Sequence, residues 1–92
     1  PPDVLTTLSK DPLPSVRWRV ASNPSTPVDI LILLSKDSNS DVRWYVARNH
    51  STPPDVLTSM SKDKKPNVCW GVAVNPSTHY GICVQMWGRV LP

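Results

Sequence analysis

Side chains able to do covalent or acid–base chemistry are few in this 92-residue chain, and their placement argues against catalysis. His50 and His79 each stand where a similar stretch elsewhere has proline, so both read as substitutions at a loop position, not as ligands. Cys69 and Cys83 lack the CxxC or Cys/His spacing of a metal site. All seven acids are Asp; they fall where helix caps and helix ends are expected, with no pair set apart to act as acid and base. Gly71, Gly81 and Gly88 form no phosphate loop. The expectation is a chain with no catalytic residue, metal or cofactor. Binding is the chemistry that remains. Trp18, Trp44 and Trp70 recur at a constant interval, accompanied by Arg17, Arg19, Arg43, Tyr45 and Arg48.

That interval organises the whole sequence. Cut every 26 residues, the chain reads PPDVLTTLSKDPLPSVRWRVASNPST (1–26), PVDILILLSKDSNSDVRWYVARNHST (27–52) and PPDVLTSMSKDKKPNVCWGVAVNPST (53–78) without a gap. Thirteen of the 26 columns are identical in all three copies, which chance does not supply. Residues 79–92 put Ile82, Cys83 and Met86 where earlier copies have Val4, Leu5 and Leu8. They then put Trp87-Gly88-Arg89 where Ser-Lys-Asp is due, so they read as a degenerate partial fourth unit or a C-terminal cap. The chain opens mid-pattern without an initiating Met, which suggests a processed product or an excised part of a longer array.

Eleven prolines in so short a chain signal disorder unless they recur at fixed places, and here they recur near helix starts. Each copy predicts two short helices. Thr26 and Thr52 are expected as N-caps, with Pro27 and Pro53 at the first helical position and Asp29 and Asp55 near the positive helix end. The second helix is expected to start from Ser15, Asp41 or Asn67 as N-cap and to run for about seven residues, too short to be stable alone. Asn23-Pro24 and Asn75-Pro76 stop it, and Asn suits the left-handed conformation common past a helix end. No strand is signalled. The expected architecture is an all-α solenoid forming a single domain, in which each unit needs a neighbour to bury its apolar face. The longest apolar run is Ile30 to Leu34, so no membrane span is expected, and no leader is recognisable. Two unpaired thiols favour a reducing compartment, hence the cytoplasm.

The unit so read, TPPDVLxxLSKDxxxxVRWxVAxNPST, resembles the leucine-rich repeat variant family over residues 1–78. Thr-Pro-Pro, a Leu-rich helix, Asp and Val-Arg-x-x-Val-Ala-x-Asn-Pro carry the likeness. Despite its name, that family is similar to the HEAT and armadillo class. The resemblance implies α-helices alternating with short, often 3₁₀, helices in a right-handed superhelix, and it implies no activity by itself. Some members carry an iron–sulfur domain before the array, but no such cysteine cluster occurs here. Asp11 and Arg17, and Asp37 and Arg43, stand six apart across the inter-helix turn, a spacing similar to HEAT repeats, where such pairs form a ladder. Asp11, Asp37 and Asp63, with Asn23, Asn49 and Asn75, are therefore expected to be structural. The third copy has Cys69 in place of Arg, so the ladder should end there, and Cys69→Arg should restore it.

Two surfaces are candidates for binding. At roughly 100° per residue Trp18, Arg19 and Ser22 lie opposite Val16 and Val20, so the tryptophans form a row with a spacing of roughly 10 Å. Either each Trp lies flat over the neighbouring unit and fills the groove, or the row and its arginines are open to nucleic acid through stacking and phosphate contacts. The second surface belongs to the helix of 27–36. There Val28, Ile32 and Leu33 replace Pro2, Thr6 and Thr7, making that helix apolar all round and a candidate for self-association. The reading is a non-catalytic binding or scaffold module for a protein partner, with a homodimer as one form. The alternative is a nucleic-acid-binding module using the Trp/Arg row.

Overall fold

A computed structural model describes residues 2–78, and the fourth-unit cap expected over 79–92 lies outside the described residues, as do Cys83 and His79. Six α-helices follow one another: α1 (Pro2–Leu8), α2 (Pro14–Ser22), α3 (Val28–Leu34), α4 (Ser40–Arg48), α5 (Pro54–Met60) and α6 (Pro66–Val74). The described residues contain no strand, and the fold is all-α. Helix starts at 2, 28 and 54, and at 14, 40 and 66, keep the sequence interval. All six helices are α; the short 3₁₀ helices implied by the resemblance do not occur among the described residues.

Local chemistry differs from expectation at each helix boundary. Pro27 and Pro53 are N-caps, extended at ψ 152, and helices α3 and α5 begin one residue later without a side-chain cap. The threonines before them look backwards. Thr26 Oγ1 donates to the Val20 carbonyl at 2.6 Å and Thr52 Oγ1 to that of Val46 at 2.7 Å, and Thr78 does the same for Val72. Each closes the end of the previous helix, where carbonyls lack intrahelical partners.

The second helices begin at Pro14, Ser40 and Pro66, one residue ahead of the expected caps, and run nine residues. Only Asn39 caps with its side chain, accepting from the N–H groups of Asp41 and Val42. In the other two copies proline at the first helical position pre-sets φ and gives up a donor that would have no partner there. Ahead of each start, Asp11, Asp37 and Asp63 accept the N–H of Leu13, Asn39 and Lys65 at 2.9 Å, which shapes the turn. Asn23, Asn49 and Asn75 are extended, not left-handed, and no described residue has positive φ. Proline at 24 and 76 pushes the preceding residue towards extended backbone, and the third asparagine, ahead of His50, follows the same path.

Packing is led by the second helices: α4 lies between α2 and α6, and each first helix leans on the second helix of its own copy. Val20, Val42, Val46, Val68 and Val72 line the joints with Leu31, Leu34, Leu57 and Met60. Full burial of such a side chain contributes about 1.5–3 kcal/mol, and no helix of seven or nine residues would persist without it. Ala21 and Ala47, both fully buried, are small enough to let neighbouring second helices approach closely. Burial fades at the first copy: Ile30 and Leu34 are 6% and 1% exposed, whereas their equivalents Val4 and Leu8 are 50% and 37% exposed. Those columns are covered by the copy before.

Candidate functional site

The polar contacts between copies decide which arginines are available for anything else. Arg17 does not form its ion pair with Asp11 six residues back. Its Nε meets Asp37 Oδ2 at 2.8 Å and its Nη2 meets Asp37 Oδ1 at 3.1 Å, a two-pronged bridge into the next copy. Arg43 reaches Asp63 in the same way, at 2.7 and 3.3 Å. Six-residue spacing brings each guanidinium only to the backbone of its own turn, where Nη1 donates to the carbonyl of Asp11 at 2.8 Å or Asp37 at 2.6 Å. These pairs are largely shielded, with 10–16% of their side-chain surface exposed.

The field within the bridges shows in two groups. The hydrogen bond to Asp37 raises Arg17 further above its ordinary value, against a smaller opposing effect of burial. Burial alone would push the Asp63 carboxyl up. Hydrogen bonds from Arg43 and from the Lys65 N–H, with the attraction of Arg43 and Lys64, outweigh that and hold it below the ordinary carboxylate range.

Cys69 occupies the arginine column in α6 and is buried. Its Sγ is placed to donate to the carbonyls of Asp63 at 3.3 Å and Ser61 at 3.5 Å, keeping the local contact and dropping the long one. In register, the next column for a carboxylate holds Arg89. Cys69→Arg would therefore bury a cation with no carboxylate assigned to it by the pattern, and is no restoration.

The asparagine column works in the opposite direction along the chain. Asn49 Nδ2 donates to the carbonyls of Ala21 at 2.8 Å and Asn23 at 3.1 Å; Asn75 Nδ2 donates to those of Ala47 at 2.7 Å and Asn49 at 2.9 Å. Serine adds a lighter contact, Ser51 Oγ to the Pro24 carbonyl and Ser77 Oγ to that of His50.

The aromatic row is neither uniformly buried nor uniformly open. Trp18 meets Tyr45 of the next copy edge-on, with centroids 5.2 Å apart, and Trp44 meets the same Tyr45 at 4.8 Å. Arg48 lies over the Trp44 ring at 4.7 Å, a cation–π contact. Trp70 is 48% exposed.

One pairing in this row escapes sequence reading. Residues 22 and 45 face across the first joint, and residues 48 and 71 across the second, and their sizes compensate. Small Ser22 lines a hollow together with Tyr45, while long Arg48 needs Gly71: a Cβ there would stand 3.1 Å from Ala47 Cβ and 3.3 Å from Arg48 Cγ. The signal lay in reading columns diagonally between copies. Within each copy the four residues look like unrelated surface.

On the other side of the molecule, Val28, Ile32 and Leu33 are 46%, 39% and 51% exposed on α3. Arg19 and Arg48 stand in the last turns of α2 and α4, where the helix dipole favours a cation. His50 is exposed, and the described residues hold no group of three potential metal ligands. No helix among them is long and apolar enough to cross a membrane. Lys10, Lys36 and Lys62, identical in all copies, are exposed, and no described contact explains them. No family model, curated protein or solved structure matches the chain.

Proposed function

We propose that the chain is a non-catalytic binding module: three 26-residue units of the leucine-rich repeat variant kind, stacked as a right-handed α-solenoid, that engage a protein surface. The observation that carries the reading is the apolar face of α3, where Val28, Ile32 and Leu33 stand exposed between helices bearing Pro, Thr and Thr or Ser in the same columns. A two-fold contact sets the same patch against itself, and an apolar patch is self-complementary without charge conflict. A second copy is thus the partner to test first. Sedimentation velocity of the chain and of the double variant Ile32→Thr, Leu33→Thr tests it: the dimer should be lost in the variant while helix content is kept. A dimer that survives the double substitution would refute the assignment.

The nucleic-acid alternative finds less support. Arg17 and Arg43 are engaged by Asp37 and Asp63, and Arg48 occupies a face of Trp44 that a base would need for stacking. Anisotropy with labelled single- and double-stranded DNA and RNA at low salt is expected to show no binding. Micromolar binding that weakens steeply with salt and is abolished by Arg43→Ala would reverse the order of the two readings.

A further inference from the structure

We infer that the exposed end formed by α1 and α2 is a docking face for one more helix pair of this pattern, joined directly ahead of Pro1 and carrying arginine in the column of Arg17. It is separate from the α3 surface and rests only on the stacking part of the reading above. Contacts between copies are directional, and each type occurs at both joints. An arginine reaches forward to the next copy's aspartate. An asparagine reaches back to two carbonyls, and a serine to a third.

The first copy holds the backward-facing half of each contact: the accepting aspartate, the donating asparagine and the donating serine. Asp11 accepts the Leu13 N–H and forms no ion pair among the described residues. Asn23 Oδ1 accepts the Ser25 N–H, but neither its Nδ2 nor Ser25 Oγ makes a hydrogen bond among the described residues. Beside them, Leu5, Leu8, Val16, Val20, Arg19 and Asn23 line a hollow of about 290 Å³. Val4 and Leu8 are exposed although their equivalents Ile30 and Leu34 are core.

The occupant is therefore specified by chemistry. It supplies a guanidinium for Asp11, two backbone carbonyls from a helix end for Asn23, a third for Ser25, and apolar side chains for the hollow. A second copy stacking end to end does not fit, because its α6 would bring the Cys69 thiol where the guanidinium is needed. Copies join with no linker, the Thr of one followed at once by the Pro of the next, which places the occupant's last residue against Pro1.

The test joins an added copy of residues 27–52 ahead of Pro1 of the full chain and compares thermal unfolding with the unextended chain. A rise in Tm of at least about 5 °C is expected, an amount that corresponds to roughly 1 kcal/mol in a domain of this size. Asp11→Asn and Asn23→Ala should each lower Tm of the extended chain by more than they lower Tm of the unextended chain, the difference being the part of the rise that each supplies. Arg43→Cys within the added copy should act like Asp11→Asn, and the two together should cost no more than either alone. No rise, a rise indifferent to Asp11 and Asn23, or an extended chain that fails to fold would overturn the inference. So would self-association of the unextended chain that Asn23→Ala abolishes, since a second copy would then be the occupant.

Discussion

Asn49 holds the first joint with one amide, serving two carbonyls at the end of α2 that have no partner within the helix. Asn49→Ala orphans the Ala21 carbonyl, at about 1–3 kcal/mol, while that of Asn23 keeps the Thr26 N–H, and the urea midpoint should fall accordingly. Asn23→Ala removes the same local bond to the residue two ahead but no cross-copy bond among the described residues, so it should cost under about 1 kcal/mol. Equal losses would show that the column acts only within its own loop. Asp63 makes a second prediction at this scale. Its folded pKa lies below the unfolded value, so its contribution is complete above the unfolded carboxylate value of about 3.9 and is lost as pH falls through the lower folded value. Acid unfolding of Asp63→Asn should therefore show a weaker pH dependence in that window than the parent chain. An unchanged acid limb would contradict the Arg43 bridge.

At the scale of the helix, neither seven nor nine residues suffice, and each helix exists through the helices beside it. The aromatic row makes this measurable. Trp44, fixed by Tyr45 and Arg48 and set against Gly71, should cost about 2–3 kcal/mol on truncation to Ala, less than a fully buried ring. Trp70→Ala, with nearly half its surface open, should cost distinctly less, and equal denaturant midpoints for the two variants would contradict this placement. Gly71→Leu should destabilise strongly by forcing α4 and α6 apart at Ala47, whose Cβ cannot rotate away. Helix class, the number of helices in 1–78 and the outward columns of α3 were all legible in the sequence. Contact partners were not. A repeat places an identical Asp at every turn, so Asp11 and Asp37 are indistinguishable to Arg17 by residue type, and only the side chain's reach across the joint selects the second. The threonine column misled for a related reason: Thr26 lies between two helices and its hydroxyl suits either, but extended Pro27 turns it towards the helix behind.

As a whole, the molecule is a row of second helices backed by first helices, with extents of 42 × 21 × 15 Å. Its cross-copy polar groups are used internally at both joints, and three surfaces stand out among the described residues. These are the apolar face of α3, the open end of α1 and α2, and the lysine-bearing edge of the inter-helix turns. Polarity along the row follows from the directional contacts, and it explains why the arginine column and the aspartate column change together at Cys69 and Arg89. Binding through α3 is the central proposal, and sedimentation velocity across micromolar concentrations reads it directly. The expected result is a concentration-dependent species of twice the monomer mass that disappears in the Ile32→Thr, Leu33→Thr variant and persists in Asn23→Ala. A monomer at every concentration would contradict self-association through α3.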